Sequence, residues 1–475
     1  MLPLQVVFLI RKIHFVLSFV LVFWLFLTAL PAFSDFSLYW RESYFLVEGT
    51  SINTADLNES SAADNGTGDD RIYSTLKLRM KPSLGITDRL SIHAMFDAFV
   101  MPHTSTLSQE EGAFMGRPAT DGNTYGPTLG NLPAALDGGA SGFSQSTVTS
   151  GDSNFLIKTA FLEYISDWGV LKIGRQPRQW GLGIRYNAGD KPQDKFGDRT
   201  DSLAYELGLG NIKLGLLYSK ISENSINSTK DDVNLYESYV HWNDPEKDLN
   251  LGLLYTFMRH ADRFVRLNFF DIYGTKKIKK LKAGLEAVAT LGNPGTISGN
   301  ESAQLGLASE LEYEWTEVIT SYLKLGYASS PDVGNTTKLT VFSFDRNYDI
   351  AFLMFNQGVG AISAQTGVSA QSDPYTNTIF GAYYLNLGGA YHFNQRIGAN
   401  LNYATALAPL PFISGGDKNY GHEVDITGWY HFLENLKFKV TTGFFLPGDL
   451  YKGTPTLNAQ TDLCYGGVAS VLLTF

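Results

Sequence analysis

The 475-residue chain predicts an all-β fold: a single antiparallel transmembrane β-barrel of about 18 strands with short periplasmic turns and long extracellular loops. Three observations carry this expectation. Segments of about ten residues alternate with period two, while no apolar stripe of helical period lasts more than a turn or two. The connections between those segments alternate between short and long. The last segment ends in Phe475, with Leu473, Val471, Ala469, Gly467 and Tyr465 on the same parity, so one apolar or small face runs to a terminal aromatic.

The amino end reads as an export address. Arg11 and Lys12 precede an apolar run from Ile13 to Leu30, and Ala32-Phe33-Ser34 stands before Asp35. Residues 1-34 are therefore expected to be a cleaved signal peptide, leaving 35-475 as the barrel. A run of about 18 apolar residues also suffices for a membrane anchor, but the Ala-x-Ser site and the C-terminal strand favour cleavage. No later stretch approaches that length, which excludes a helical membrane protein.

Aromatics make up 13% of the chain, with 25 Tyr and 31 Phe, more than an ordinary soluble domain needs. A barrel with a lipid face, a wet lumen and aromatic girdles calls for that mixture. The lone cysteine, Cys464, has no internal disulfide partner, so closed strand pairing must hold this exported chain together. The formal charge of -10 loses Arg11 and Lys12 with the signal, which argues against nucleic acid as a partner.

In chain order the eighteen segments are 37-48, 71-82, 90-100, 154-165, 169-175, 201-209, 211-220, 232-242, 249-260, 264-274, 281-291, 303-315, 318-328, 378-393, 396-406, 422-432, 436-446 and 464-475. In the second, Ile72, Leu76, Leu78 and Met80 oppose Arg71, Thr75, Lys77 and Arg79. In the third, Leu90, Ile92, Ala94, Phe96 and Ala98 oppose Ser91, His93 and Asp97. The twelfth sets Leu305, Leu307, Leu311, Tyr313 and Trp315 against Gln304, Glu310, Glu312 and Glu314. Three carboxylates on one strand face cannot meet hydrocarbon, so that face looks into water.

Tight turns are expected at Thr87-Asp88, Asp167-Trp168, Gly210-Asn211, Asn243-Asp244-Pro245, Lys276-Lys277, Thr316-Glu317, Asn394-Gln395 and Glu434-Asn435. The intervening segments 49-70, 101-153, 176-200, 221-231, 292-302, 329-377, 407-421 and 447-463 are longer and rich in Gly, Ser, Asn, Asp and Pro, as extracellular loops are. This places both termini in the periplasm. Trp168, Trp242, Trp315 and Trp429 lie near turns and are expected in an interfacial girdle.

The run Gly174-Arg175-Gln176-Pro177-Arg178-Gln179-Trp180-Gly181-Leu182-Gly183, followed by Asn187 to Asp201, resembles the alginate-export-like porin barrels of Gram-negative bacteria. Phe344-Asp345-Arg346-Asn347-Tyr348-Asp349 and Phe444-Phe445-Leu446-Pro447-Gly448-Asp449 look like the same broad group. The resemblance implies an outer-membrane channel and, in its narrower form, an export conduit for an acidic polysaccharide. That family's lumen is strongly basic. Here the expected inner parity is mixed, with Lys77, Arg79 and Lys324 set against Asp97, Glu163, Glu310, Glu312, Glu423 and Asp425, and with His93 among them.

Residues 175 to 201 form the densest charge cluster, with Arg175, Arg178, Arg185, Lys191, Lys195 and Arg199 beside Asp190, Asp194, Asp198 and Asp201. Folded into a pore, these would set a transverse field that sorts solutes by charge and dipole. As a solvated loop they would make surface ion pairs of little energetic weight. Parity puts Arg175 on the face of Leu171 and Ile173 unless Gly174 allows a bulge.

Asp64 to Asp70 offers oxygen ligands for calcium, but its spacing departs from the EF-hand pattern. No nucleophile and base, carboxylate pair or metal-ligand spacing stands out, so neither enzyme activity nor a cofactor is expected. The reading is an aqueous channel for passive diffusion of small polar solutes, since barrels of 16 to 18 strands leave an open lumen. Two alternatives remain, a polysaccharide export conduit and a surface-display or adhesion barrel presenting loops 101-153 and 329-377. The expected partners are outer-membrane lipid and lipopolysaccharide, the barrel assembly machinery reading the strand that ends in Phe475, and possible copies of the chain itself.

Overall fold

The computed structural model describes residues 37-53, 70-98, 112-113, 155-194, 196-222, 232-261, 264-295, 301-332, 338-356, 378-412, 415-452 and 462-475. The segment 1-34, residues 64-69 of the acidic loop, nearly all of 101-153 and Lys195 lie outside these residues.

Eighteen barrel strands follow in order: β1 (Ser37–Asn53), β2 (Asp70–Thr87), β3 (Leu90–Ala98), β4 (Phe155–Ser166), β5 (Gly169–Pro177), β6 (Arg199–Leu209), β7 (Ile212–Ser222), β8 (Val233–Asp244), β9 (Leu249–His260), β10 (Val265–Ile278), β11 (Leu281–Asn293), β12 (Glu301–Glu314), β13 (Ile319–Ala328), β14 (Ala382–His392), β15 (Ile397–Leu407), β16 (Asn419–Leu433), β17 (Leu436–Pro447) and β18 (Cys464–Thr474). Each pairs antiparallel with its sequence neighbour, and β1 pairs with β18 from Tyr44↔Thr474 to Asn53↔Tyr465. The sheet therefore closes on itself and leaves no free edge for another chain to pair with. Two-residue strands at Gly112–Ala113 and Lys338–Leu339 add to β2 and β12.

Burial is inverted relative to a soluble domain. On β12, Leu305 is 39% exposed on the outer face while Gln304 is 3% exposed on the inner one. Leu216, Leu253, Ile272, Leu285 and Leu401 are exposed outward, whereas Lys77, Arg79, Asp97, Glu286 and Glu423 are buried inside. A strand between hydrocarbon and a polar interior requires this arrangement.

Two details of the expected layout change. The turn expected at Lys276-Lys277 falls at Lys279-Lys280, because pairing runs on through Lys277↔Lys282 and Ile278↔Leu281. Lys279 takes the left-handed conformation there, with φ 56°. Strands β1 and β2 also extend past their expected ends, pairing as far as Asn53↔Asp70. Of the expected girdle, Trp168, Trp242 and Trp315 are exposed on the outside. Trp429 instead shares the inner parity of Glu423 and Asp425 and meets His392 edge-on at 5.3 Å.

Candidate functional site: a lumen narrowed by two inward loops

The loop after β5, residues 178-198, turns into the barrel and crosses it. On one side it is held by β8 to β11. Arg178 Nη2 lies 2.6 Å from Glu237 Oε2, and the Tyr186 hydroxyl donates to Glu237 Oε1 at 3.2 Å. Arg185 donates to Thr256 Oγ1 and to the Tyr186 hydroxyl, and its guanidinium lies between the rings of Tyr186 and Phe269, 4.4 and 4.1 Å from their centroids. Glu286 of β11 accepts from the backbone amides of Leu182 and Gly183. These carboxylates satisfy loop N–H groups that would otherwise be buried without a partner.

On the far side the same loop meets β2. Lys77 Nζ donates to the carbonyl of Asp194 at 2.9 Å, and Arg79 Nη1 donates to that of Gly189 at 2.6 Å. Arg79 also forms a bidentate pair with Asp97 of β3, at 2.7 and 2.8 Å, with both side chains fully buried. The fork geometry of guanidinium on carboxylate fixes Arg79 so that its remaining nitrogen faces the loop.

A second inward loop lies between β13 and β14. Phe342 rests on Gly306 of β12, where a Cβ would stand 2.2 Å from the ring, so only glycine admits it. Phe344 meets Phe342, Tyr348 and Tyr384 edge-on. On β16, Glu423 accepts from the amides of Leu353 at 2.6 Å and Met354 at 2.5 Å, and Asp425 accepts from Phe352 at 3.2 Å. Asn402 donates to the carbonyl of Ile350 at 3.1 Å.

The two loops join each other. Asp345 N donates to the carbonyl of Ile184 at 2.8 Å, and Asn347 exchanges hydrogen bonds with the backbone of Phe196 at 3.1 and 2.9 Å. The side chains of Asp198 and Asp345, both buried, are hydrogen-bonded to one another. Burial, then repulsion from Asp198, pushes the Asp345 carboxyl well above its ordinary range. One proton shared between two close carboxyls is the arrangement this favours. Burial also raises the Tyr186 phenol to about 12.

The loops leave open a cavity of about 690 Å³. Glu48, Asp194, Glu310, Glu312, Asp349 and Asp425 line it together with Lys191, Lys282, Lys324, Lys439 and Arg346, and with Asn386, Asn400, Asn402, Tyr322 and Thr441. Glu310 pairs with Lys324 at 3.0 Å, and Glu314 with Lys277 at 3.4 Å. The register sets Glu312 opposite Lys282. The acidic ladder of β12 is thus met by cations on both neighbouring strands, and the wall is polar with near-balanced charge.

The residues of the 175-201 cluster separate into different places. Lys191 and Asp194 line the cavity, and Asp190 reaches Lys81 at 3.3 Å. Arg178 and Arg185 are turned to the barrel wall, and Asp198 and Arg199 are buried, so these four hold the loop rather than face the opening. Arg175 and Asp201 are not at a constriction. The Gly174 φ of 124° brings no register break between β4 and β5, so Arg175 keeps the outward parity of Ile173 and pairs with Asp201 at 2.7 Å on the outside.

Of the lumen candidates, Glu310, Glu312, Lys324 and Asp425 line the cavity. Lys77, Arg79, Asp97 and Glu423 are inside but covered by the loops they hold. His93 lies inside near Glu163 at 3.7 Å, with Ser83 on its Nδ1 at 2.8 Å. Glu237, Glu286, Lys282 and Lys439 were not singled out from sequence. The signal that marks them is a charge on the inward parity of an otherwise apolar strand.

No family model and no curated protein matches the chain. Its fold is similar to solved structures of Gram-negative outer-membrane channels. OccAB3 of Acinetobacter baumannii has a TM-score of 0.50 at 12% identity, over 93% of this chain and 99% of that one. OccK9 (OpdG) of Pseudomonas aeruginosa gives 0.49 at 11% identity, over 93% and 99%. The resemblance to the alginate-export-like family is not supported. Of the stretches that suggested it, 174-183 runs from the end of β5 into the first inward loop and 344-349 lies in the second, and their charged residues contact the barrel wall or the other loop, as Arg178 does with Glu237 and Arg346 with the Phe196 ring.

Proposed function

We propose that the protein is an outer-membrane porin of a Gram-negative bacterium, an aqueous channel for passive diffusion of small polar solutes with both termini in the periplasm. The observation that carries this reading is the polar cavity of about 690 Å³ left inside a closed barrel by two wall-anchored loops. Eighteen strands enclose a lumen too wide for wall side chains alone to fill. Here folded-in backbone narrows it instead.

Near-balanced lining charge supports weak ion preference and transit of neutral or zwitterionic solutes, and disfavours a conduit for a polyanion. Short turns on one side and long connections on the other support the orientation. Reconstitution in planar bilayers tests this: steady single-channel currents with modest selectivity are expected, and a barrel that inserts without conducting contradicts the reading.

A further inference from the structure

The outer face carries a row of polar side chains aligned by strand register across β5 to β11. It runs Arg175↔Asp201, Asp201↔Lys220, Lys220↔Asn234, Asn234↔Arg259, Arg259↔Arg266 and Arg266↔Asn293. Each residue lies within three positions of the loop-bearing end of its strand. Directly beneath it, on the same outward parity, run Leu203, Tyr218, Tyr236 and Phe257, and below those Leu253 and Ile272, all exposed apart from the partly covered Phe257. The row therefore caps the hydrocarbon-facing band at its interfacial aromatic edge.

One end of the row is internally neutralised. Arg175 pairs with Asp201 at 2.7 Å, and Lys220 pairs with Asp232 at 3.0 Å. The middle is not. Arg259 and Arg266 stand opposite each other across the β9-β10 ladder, both exposed, and among the described residues neither has a carboxylate within ion-pair distance. Like charges directly opposed on one sheet face are destabilising on their own.

Their neighbours supply further donors. The Asn234 side-chain oxygen is taken by the Tyr218 hydroxyl at 2.7 Å, and that of Asn293 by the Gly295 amide at 2.7 Å. Each amide NH2 is left to donate outward. Four adjacent strands thus present Asn, Arg, Arg and Asn as donors with no carboxylate among them. Such a surface fits an oxyanion with several acceptor oxygens, which guanidinium groups bind in bidentate fashion.

We propose that Arg259 and Arg266, flanked by Asn234 and Asn293, form a docking site for the phosphate groups of the glycolipid in the surrounding outer leaflet, lipopolysaccharide being the source. This rests on the outer-membrane orientation proposed above. The phosphate lies against the arginine pair while the acyl chains lie along Phe257, Leu253 and Ile272. The bound anion neutralises the two opposed charges.

The test uses the folded barrel in detergent, titrated with lipopolysaccharide before and after removal of its phosphates and read by native mass spectrometry. Single-channel conductance of the same samples is recorded in phosphate-poor neutral lipid. The variants are Arg259→Gln/Arg266→Gln and, at the opposite mouth, the outward Lys276→Gln. Intact lipopolysaccharide is expected to bind the double variant at least about ten-fold more weakly than wild type, with Lys276→Gln unchanged and dephosphorylated lipid weak throughout. Equal binding by the double variant, equal loss in Lys276→Gln, or indifference to phosphate removal overturns the site. Displacement by micromolar inorganic phosphate overturns the lipid assignment. A conducting barrel with indifferent arginines rejects the site alone, whereas a non-conducting barrel with phosphate-dependent binding rejects the channel reading alone.

Discussion

Asp198 and Asp345, 147 positions apart in sequence, meet as a buried hydrogen-bonded carboxyl pair at the joint of the two inward loops. The joint makes the packing of the two loops against each other depend on protonation. Asp345 titrates well above its ordinary value because of burial first and Asp198 second, while in an opened joint it would return to about 4. The closed joint is therefore fully stabilised below about pH 4 and loses that stabilisation as pH rises through the raised value. Arg346 beside Asp345 and Arg178 beside Asp198 temper the repulsion without removing it. Current fluctuations from loop opening are expected to increase as pH rises above the ordinary carboxyl value of about 4. Asp345→Asn should flatten that dependence, and an unaltered pH profile in the variant would refute the shared-proton joint.

Glu286 predicts a different defect. Replacing it by Ala leaves the amides of Leu182 and Gly183 without acceptors in a buried site, at a cost of about 1 to 3 kcal/mol. The barrel has many other strand contacts, so the loss should fall on the loop. Expected are unchanged heat-resistant mobility on gels and a larger, noisier conductance, with Glu286→Gln intermediate because one acceptor oxygen remains.

Gly306 predicts the opposite change in conductance. Valine suits a strand backbone, but its side chain would occupy the space of the Phe342 ring. The second loop should be pushed off the wall toward the cavity, lowering conductance while the barrel still folds. A Gly306→Val channel with wild-type conductance would show that Phe342 does not set the loop's position.

Charge selectivity should follow the cavity lining. Lys439→Glu and Lys282→Glu place new negative charge on the open wall and are expected to move the reversal potential toward cations. Arg178→Ala differs in kind, because it removes the ion-pair partner of buried Glu237, which keeps only the hydroxyls of Tyr186 and Thr256, a penalty of up to about 3 to 5 kcal/mol. It should destabilise the loop, with conductance noise rising more than selectivity shifts.

The barrel was legible in the sequence because lipid on one side and water on the other impose a period of two, and register then fixes which residues face inward. That logic placed Glu310, Lys324, Glu423 and Asp425 inside, and it warned that Arg175 faces out. The loops were not legible in the same way. A Gly-rich polar segment such as 178-198 reads alike whether its backbone meets water or a lumen wall. What distinguishes the two cases is the set of acceptors, Glu237 and Glu286 for this loop and Glu423 for the second, which lie about 50 to 100 residues in sequence from the groups they bind. Arg178 and Arg185 looked like filter charges for the same reason: their partners are on distant strands.

The central claim is that two folded-in loops leave an open, charge-balanced lumen, and single-channel recording in a salt gradient tests it most directly. The account predicts steady ohmic currents with a reversal potential close to zero, reduced by small neutral or zwitterionic solutes. Absence of conductance from correctly folded barrels, or a pore strongly selective for one sign of charge, would contradict it.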